Sequence, residues 1–210
     1  MIGARTQAAG EEIHLPFAAP RATIRDATHF RSTWLTASQA SVRERGYGER
    51  YAELLPPKHK EQLLGIIAGV WMPMEVAWAH YATCDRLELS TAELVDIGLG
   101  ATRRANATAL SFAVRVARGA GVTPWTILAQ LQRIWDRTCM GGGGVAVWKL
   151  GPKEARLEVV GFPLAELRYN RITFRGIVGA TVELFCEKLY VKEIPELCDR
   201  RSLGFRLSWV

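Results

Sequence analysis

The chain has 210 residues, more than the usual single-domain size and fewer than two comfortable domains, so one core with a tail is expected. Hydrophobic residues make up 49% and charged residues 23%, which excludes a mostly disordered chain, a disulfide-rich miniprotein and a collagen-like repeat. Lys and Arg number 27 against 21 Asp and Glu, a net +6, which gives a mild preference for anionic surfaces but does not make nucleic acid the expected partner.

Residues 1–29 read as an N-terminal tail with one short extended segment, in which Ile13, Leu15 and Phe17 alternate. From Phe30 the period becomes helical: Trp34, Leu35, Ser38 and Val42 recur at spacings of three and four, and Gly46 closes the stretch. A turn is expected at Pro56-Pro57. The next block, Lys58 to Cys84, is strongly apolar and is interrupted by Pro73, which predicts a kinked helix or two helices. Helical spacing places Trp71, Met74 and Trp78 on one face of it, a core stripe or the wall of a ligand pocket. No apolar run reaches the ~18 residues that a membrane span needs.

Ser90-Thr91-Ala92-Glu93 has the spacing of a capping box. The helix it opens could run to about Arg118 and end at Gly119 and Gly121, with Arg103, Arg104, Arg115 and Arg118 on its polar face. Gly98 and Gly100 weaken its continuity, since each costs about 1 kcal/mol relative to Ala. Thr123-Pro124 opens a further helix through Ile127, Leu128, Leu131, Ile134 and Trp135. After Gly141 to Gly144 the period changes to two: residues 145–148 and 155–159 read as a hairpin joined through Gly151-Pro152. Thr173 to Lys188 is helical again, and residues 189–194 and 204–210 finish as strands. The order predicts an α+β fold over residues 30–210, an N-terminal helical bundle packed on a four-stranded antiparallel sheet with strand-strand-helix-strand-strand at the C-terminus.

Chemistry-bearing motifs are sparse. The four glycines precede a strand and carry no Lys-Ser/Thr, so they read as a turn and not as a phosphate loop. No G-x-S-x-G elbow or H-E-x-x-H pair occurs, and an enzyme is not expected. Of His14, His29, His59 and His80, only His80 lies in an apolar helical context, as a core or pocket histidine. Cys186, Glu193, Glu196 and Cys198 could hold a metal if they converged, although their spacing is not that of a zinc knuckle. The four cysteines, with Cys84 and Cys139, show no C-x-x-C spacing, and the N-terminus lacks the basic and apolar blocks of a secretion signal. A cytoplasmic protein with free thiols is expected. Seven tryptophans suit either bulky core packing or a hydrophobic cavity.

Several segments carry a resemblance: Phe30-Arg31-Ser32-Thr33-Trp34, Val42-Arg43-Glu44-Arg45-Gly46, Leu54-Leu55-Pro56-Pro57, Ile134-Trp135-Asp136-Arg137 and Phe205-Arg206-Leu207-Ser208-Trp209. They resemble a large paralogous family of myxobacterial proteins, which in turn looks related to the superfamily joining haem-nitric-oxide-binding sensors, vinyl-reductase-type small-molecule-binding domains and the Golgi-transport subunits of the TRAPP complex. The resemblance implies helices against a four-stranded antiparallel sheet, frequent dimers, and a hydrophobic pocket between the layers. Haem members carry a proximal His on a helix and a Tyr-x-Ser-x-Arg motif. No Tyr-x-Ser-x-Arg occurs in this chain, so haem is set aside and no cofactor is expected. Vinyl-reductase-type domains close with a Glu and paired Cys. Glu193 and Cys198 match in part, but Leu203 or Gly204 stands where the second Cys belongs, which leaves zinc doubtful.

The resulting expectation is a non-enzymatic sensory or adaptor domain holding a small apolar ligand between helices and sheet, with Trp71, Met74, Trp78, His80, Trp125 and Trp135 as candidate lining. The alternatives are a ligand-free interaction module that forms a homodimer or docks a signalling protein, and a DNA-binding regulator using the four arginines.

Overall fold

The computed structural model describes residues 11–106 and 122–210. Among them, eight α-helices and eight strands form two antiparallel sheets. The helices are α1 (Ser32–Glu44), α2 (Gly48–Leu54), α3 (Pro57–Leu64), α4 (Met74–Asp85), α5 (Thr91–Asn106), α6 (Pro124–Leu128), α7 (Leu131–Thr138) and α8 (Arg168–Glu183). The strands are β1 (Glu12–Leu15), β2 (His29–Arg31), β3 (Trp71–Pro73), β4 (Cys139–Met140), β5 (Gly144–Gly151), β6 (Glu154–Val160), β7 (Leu189–Glu193) and β8 (Ser202–Trp209).

The main sheet has five strands in the order β1-β5-β6-β8-β7, and a second sheet has the order β3-β2-β4. This corrects the expected four-stranded sheet. The hairpin β5-β6 and the pair β7-β8 sit where their alternation puts them, but β1 adds to the edge of β5, with Glu12 opposite Lys149 and Ile13 opposite Trp148. The strands β2, β3 and β4 are too short, at three, three and two residues, for a period of two to show in sequence.

Residues 145–147 and 155–159 show how the pleat sorts side chains. Val145, Val159 and Leu203 are in register, as are Val147, Leu157 and Phe205, and all are buried on the helix-facing side, where Phe174 of α8 stacks on Phe205 at 6.0 Å. The opposite face carries Trp148, Arg156 and Arg206, and Glu11, Phe17 and Arg21 reach over it. There Phe17 meets Trp148 edge-on at 5.9 Å, Glu11 pairs with Arg156 at 2.5 Å, and Arg21 reaches the buried Glu158 at 3.4 Å. Much of the stretch read as a tail is thus held to the sheet.

Pro73 does not kink a helix. It ends β3 and is the N-cap residue of α4, while α3 has already stopped at Leu64. Trp71, Met74 and Trp78 therefore do not share a helical face, because the helix begins only at Met74. Nor does Gly98 interrupt α5, which is continuous to Asn106. It sits where α5 crosses α8, with its backbone against Thr173 and Gly176, and a Cβ at either glycine would collide with the other helix's backbone. The remainder of the helix expected to reach Arg118, with Gly119, Gly121 and the Arg103, Arg104, Arg115 and Arg118 side chains, lies outside the described residues. The helix expected over Thr173 to Lys188 instead spans Arg168–Glu183, because Asp85 fixes its start by accepting from the Arg168 and Tyr169 amides at 3.1 and 2.5 Å.

Candidate functional site

Helix α4 is buried nearly all round, and its one imidazole, His80, is fully enclosed. An enclosed imidazole needs partners for both nitrogens, and α1 and α2 supply them, with α8 joining through α1. Gln39 fixes the direction of the hydrogen bonds. Its Nε2 donates to the Leu63 carbonyl at 2.8 Å and to the Tyr51 hydroxyl at 3.3 Å. Tyr51 then donates to His80 Nδ1 at 2.7 Å, and His80 Nε2–H donates to Ser38 Oγ at 2.9 Å. Ser38 and the Tyr169 hydroxyl share a further hydrogen bond of 2.7 Å. The pattern assigns the Nε2–H tautomer.

Burial sets the electrostatics of the cluster. It pushes His80 down to about 3 and raises the phenols of Tyr51, Tyr81 and Tyr169 and the Cys84 thiol. Cys84 Sγ lies 3.8 Å from His80 Nε2. At neutral pH the whole cluster is uncharged, so it offers neither a thiolate nor an effective general base. It ties four helices together through polar groups that are all paired.

Beside this cluster the space between helices and sheet is filled by rings. Phe30, Tyr81 and Tyr169 lead from the histidine, and Trp135, Phe162, Phe174 and Phe205 continue to the sheet, with successive ring centres 5.2 to 6.2 Å apart. Trp135 is fixed by donating its indole N–H to the Gly142 carbonyl at 3.1 Å, and it packs so closely on Gly143, whose φ is +73°, that a side chain there would overlap the ring. Packing and backbone conformation thus account for Gly143 in the glycine run.

The six candidate lining residues are dispersed. Met74 and His80 are in the core and Trp135 is in the ring layer. Trp78 is 40% exposed and donates to Glu166 at 3.2 Å. Trp71 is half-buried on β3 with the Arg31 guanidinium 4.6 Å above its ring. Trp125 lines a surface cleft of about 480 Å3 with Glu12, His14, Lys149 and Pro152. Its indole N–H donates to the Pro152 carbonyl at 3.0 Å, and its own carbonyl meets His14 Nε2 at 2.8 Å. Ser38, Gln39, Tyr51 and Tyr169, which complete the His80 cluster, were not among the candidates. The signal was Ser38 itself, a hydroxyl at an apolar position of the α1 period.

No group of three or more His, Cys, Asp or Glu side chains is arranged for a metal among the described residues. Glu193 is engaged by Arg171, Cys198 Sγ donates to the Ile194 carbonyl at 3.3 Å, and Cys186 Sγ to the Val182 carbonyl at 3.7 Å.

No family model matches the chain, and no curated protein sequence does. Solved structures do. The Fe(II) unliganded H-NOX protein from K. algicida superposes with a TM-score of 0.60 at 9% identity, over 86% of this chain and 96% of that one. A variant of the T. tengcongensis H-NOX gives 0.55 at 12% identity, over 85% and 97%. An H-NOX structure determined to probe haem distortion gives 0.60 at 12%, over 85% and 94%. The fold is that of H-NOX domains. This agrees with the fold that the resemblance implies and does not extend to the narrower myxobacterial family. It also corrects the expectation of no cofactor. Chains of this fold include proteins described by their haem, so the lack of Tyr-x-Ser-x-Arg does not set haem aside. The side chains as arranged do not fit a porphyrin, because both His80 nitrogens are engaged and the ring layer is closed. A ligand of that size would have to displace them.

Proposed function

We propose that this chain is a non-enzymatic sensory domain that takes a small ligand between its helices and sheet and reports occupancy through the helices tied together at His80. The observation that carries this reading is the likeness to H-NOX structures over 85% of the chain. The four-helix polar cluster supports it, because a neutral, fully paired network has discrete hydrogen-bonding arrangements that a ligand pressing on Tyr81 or Tyr169 would bias. Haem is the first ligand to test, since the neighbouring structures concern it.

Native mass spectrometry of the purified protein, with an absorption spectrum before and after adding hemin, is the test. A non-covalent mass excess is expected, and a Soret band would identify haem as the ligand. Bare protein that also leaves added hemin unbound sinks the ligand reading. A second reading then takes its place: an interaction module acting as a homodimer or docking a signalling protein, which the closed ring layer favours.

A further inference from the structure

We propose that the loop from Leu64 to Trp71 is a membrane-surface contact that takes an anionic lipid bilayer. The loop, Leu-Gly-Ile-Ile-Ala-Gly-Val-Trp, joins α3 to β3 and has no charged or hydrogen-bonding side chain before its final indole. It is nevertheless at the surface: Ile67 is 68% exposed, Leu64 50% and Val70 37%, with Gly65, Ala68 and Gly69 also exposed. Surface loops are ordinarily polar, and contiguous exposed aliphatic residues mark a contact surface.

The loop is also anchored at both ends. The Gly65 amide donates to the Glu61 carbonyl at 3.0 Å, the Ser32 amide donates to the Val70 carbonyl at 2.9 Å, and the Val70 amide donates to Ser32 Oγ at 2.9 Å. The apolar tip is therefore presented by fixed backbone, with Gly69 turning the chain at φ +89°.

Charge selects the occupant. Lys60 lies one helical turn before Leu64 with the exposed Glu61 beside it, and Arg31 stacks on Trp71 with no carboxylate partner among the described residues, so the base of the loop keeps a net positive charge. An aliphatic tip with an indole and cations at its base follows the order of a bilayer: hydrocarbon, interface, anionic headgroups. A protein groove would also be recognised through hydrogen bonds, which this tip's side chains do not supply. A second copy docked tip to tip across a two-fold axis would gather the Arg31 and Lys60 cations of both chains at one interface.

Co-sedimentation with vesicles of phosphatidylglycerol in phosphatidylcholine, against phosphatidylcholine alone, tests the proposal on the full chain. The protein should bind the anionic vesicles and not the neutral ones. Ile67→Asp should weaken binding by about tenfold or more, and Arg31→Gln and Lys60→Gln by roughly fivefold each. Ile13→Asp, at a 50% exposed position on the other sheet, should leave binding unchanged. Failure of the folded wild-type chain to bind, equal binding to neutral vesicles, or full binding by Ile67→Asp would each overturn the proposal. Loss of a dimer on Ile67→Asp without any vesicle binding would assign the loop to a second copy instead.

Discussion

Two regions invert the ordinary distribution of polarity, and they do so for different reasons. Around His80, polar atoms are buried where hydrocarbon would be expected, and the inversion is sustained because each principal donor has an acceptor, from Gln39 through Tyr51 and the imidazole to Ser38. Between Leu64 and Trp71, hydrocarbon is exposed, and nothing among the described residues covers it. The first region is complete in itself and acts on its neighbours by holding them. The second is incomplete and becomes satisfied only by an external apolar phase. Changes at the first should therefore register as stability, and changes at the second as binding.

The largest effect should come from breaking the buried cluster. His80→Ala removes a ring, leaves the Tyr51 hydroxyl without its acceptor and takes away the N–H that Ser38 accepts, so unfolding in urea should show a loss of about 3–5 kcal/mol. A loss below about 1 kcal/mol would mean that water replaces the ring without penalty, and the four helices would not depend on it.

Acid should act on the same region without mutation. His80 is held at about 3 against an ordinary 6.5, so between those values the unfolded chain binds a proton that the folded chain refuses. The proton excess of the unfolded state makes stability rise with pH. Going the other way, His80 contributes a loss of roughly 1.4 kcal/mol per pH unit below about 6.5, or about 2 kcal/mol near pH 5. Subtracting the pH profile of His80→Gln isolates this component, and identical slopes in the two proteins would contradict it.

An intermediate effect is expected where backbones touch. Gly98→Ala places a methyl group against the Thr173 carbonyl and Gly176, forcing α5 and α8 apart at a cost of about 1–3 kcal/mol. Gly100, with open space around it, tests the distinction: Gly100→Ala should be neutral or slightly stabilising in the same thermal melt.

These residues also show what the sequence could disclose. The capping box at Ser90 and Glu93 forms as its spacing predicts, the Ser90 amide donating to the Glu93 carboxylate at 2.8 Å and the Glu93 amide to Ser90 Oγ at 3.3 Å, because capping is local. The β5-β6 hairpin is equally local and was readable from its alternation. By contrast, β1 joins β5 across more than a hundred residues, and Gly98 is explained only by a helix some seventy-five residues away. Neither has a local signature, and glycine propensity alone points the wrong way at Gly98. His80 was found because a lone imidazole in an apolar helix is conspicuous. Its partners were not, since Gln39, Tyr51 and Tyr169 acquire their roles only through packing. The exposed loop lacks a local signature for the complementary reason: an apolar run reads as helix until Gly65 is seen to cap α3 at Leu64.

The smallest stability effect belongs to that loop, and its smallness is what separates the two regions. Ile67 has little surface left to gain or lose on folding, since 68% of it is already in water. Ile67→Asp should therefore shift unfolding free energy by less than about 0.5 kcal/mol, as at most exposed positions. A larger loss would show that the side chain packs in the folded chain, and the contrast with His80 would collapse. A melt within that limit, obtained on protein that no longer sediments with anionic vesicles, would place the whole consequence of the substitution outside the chain, where an uncovered apolar loop requires it to be.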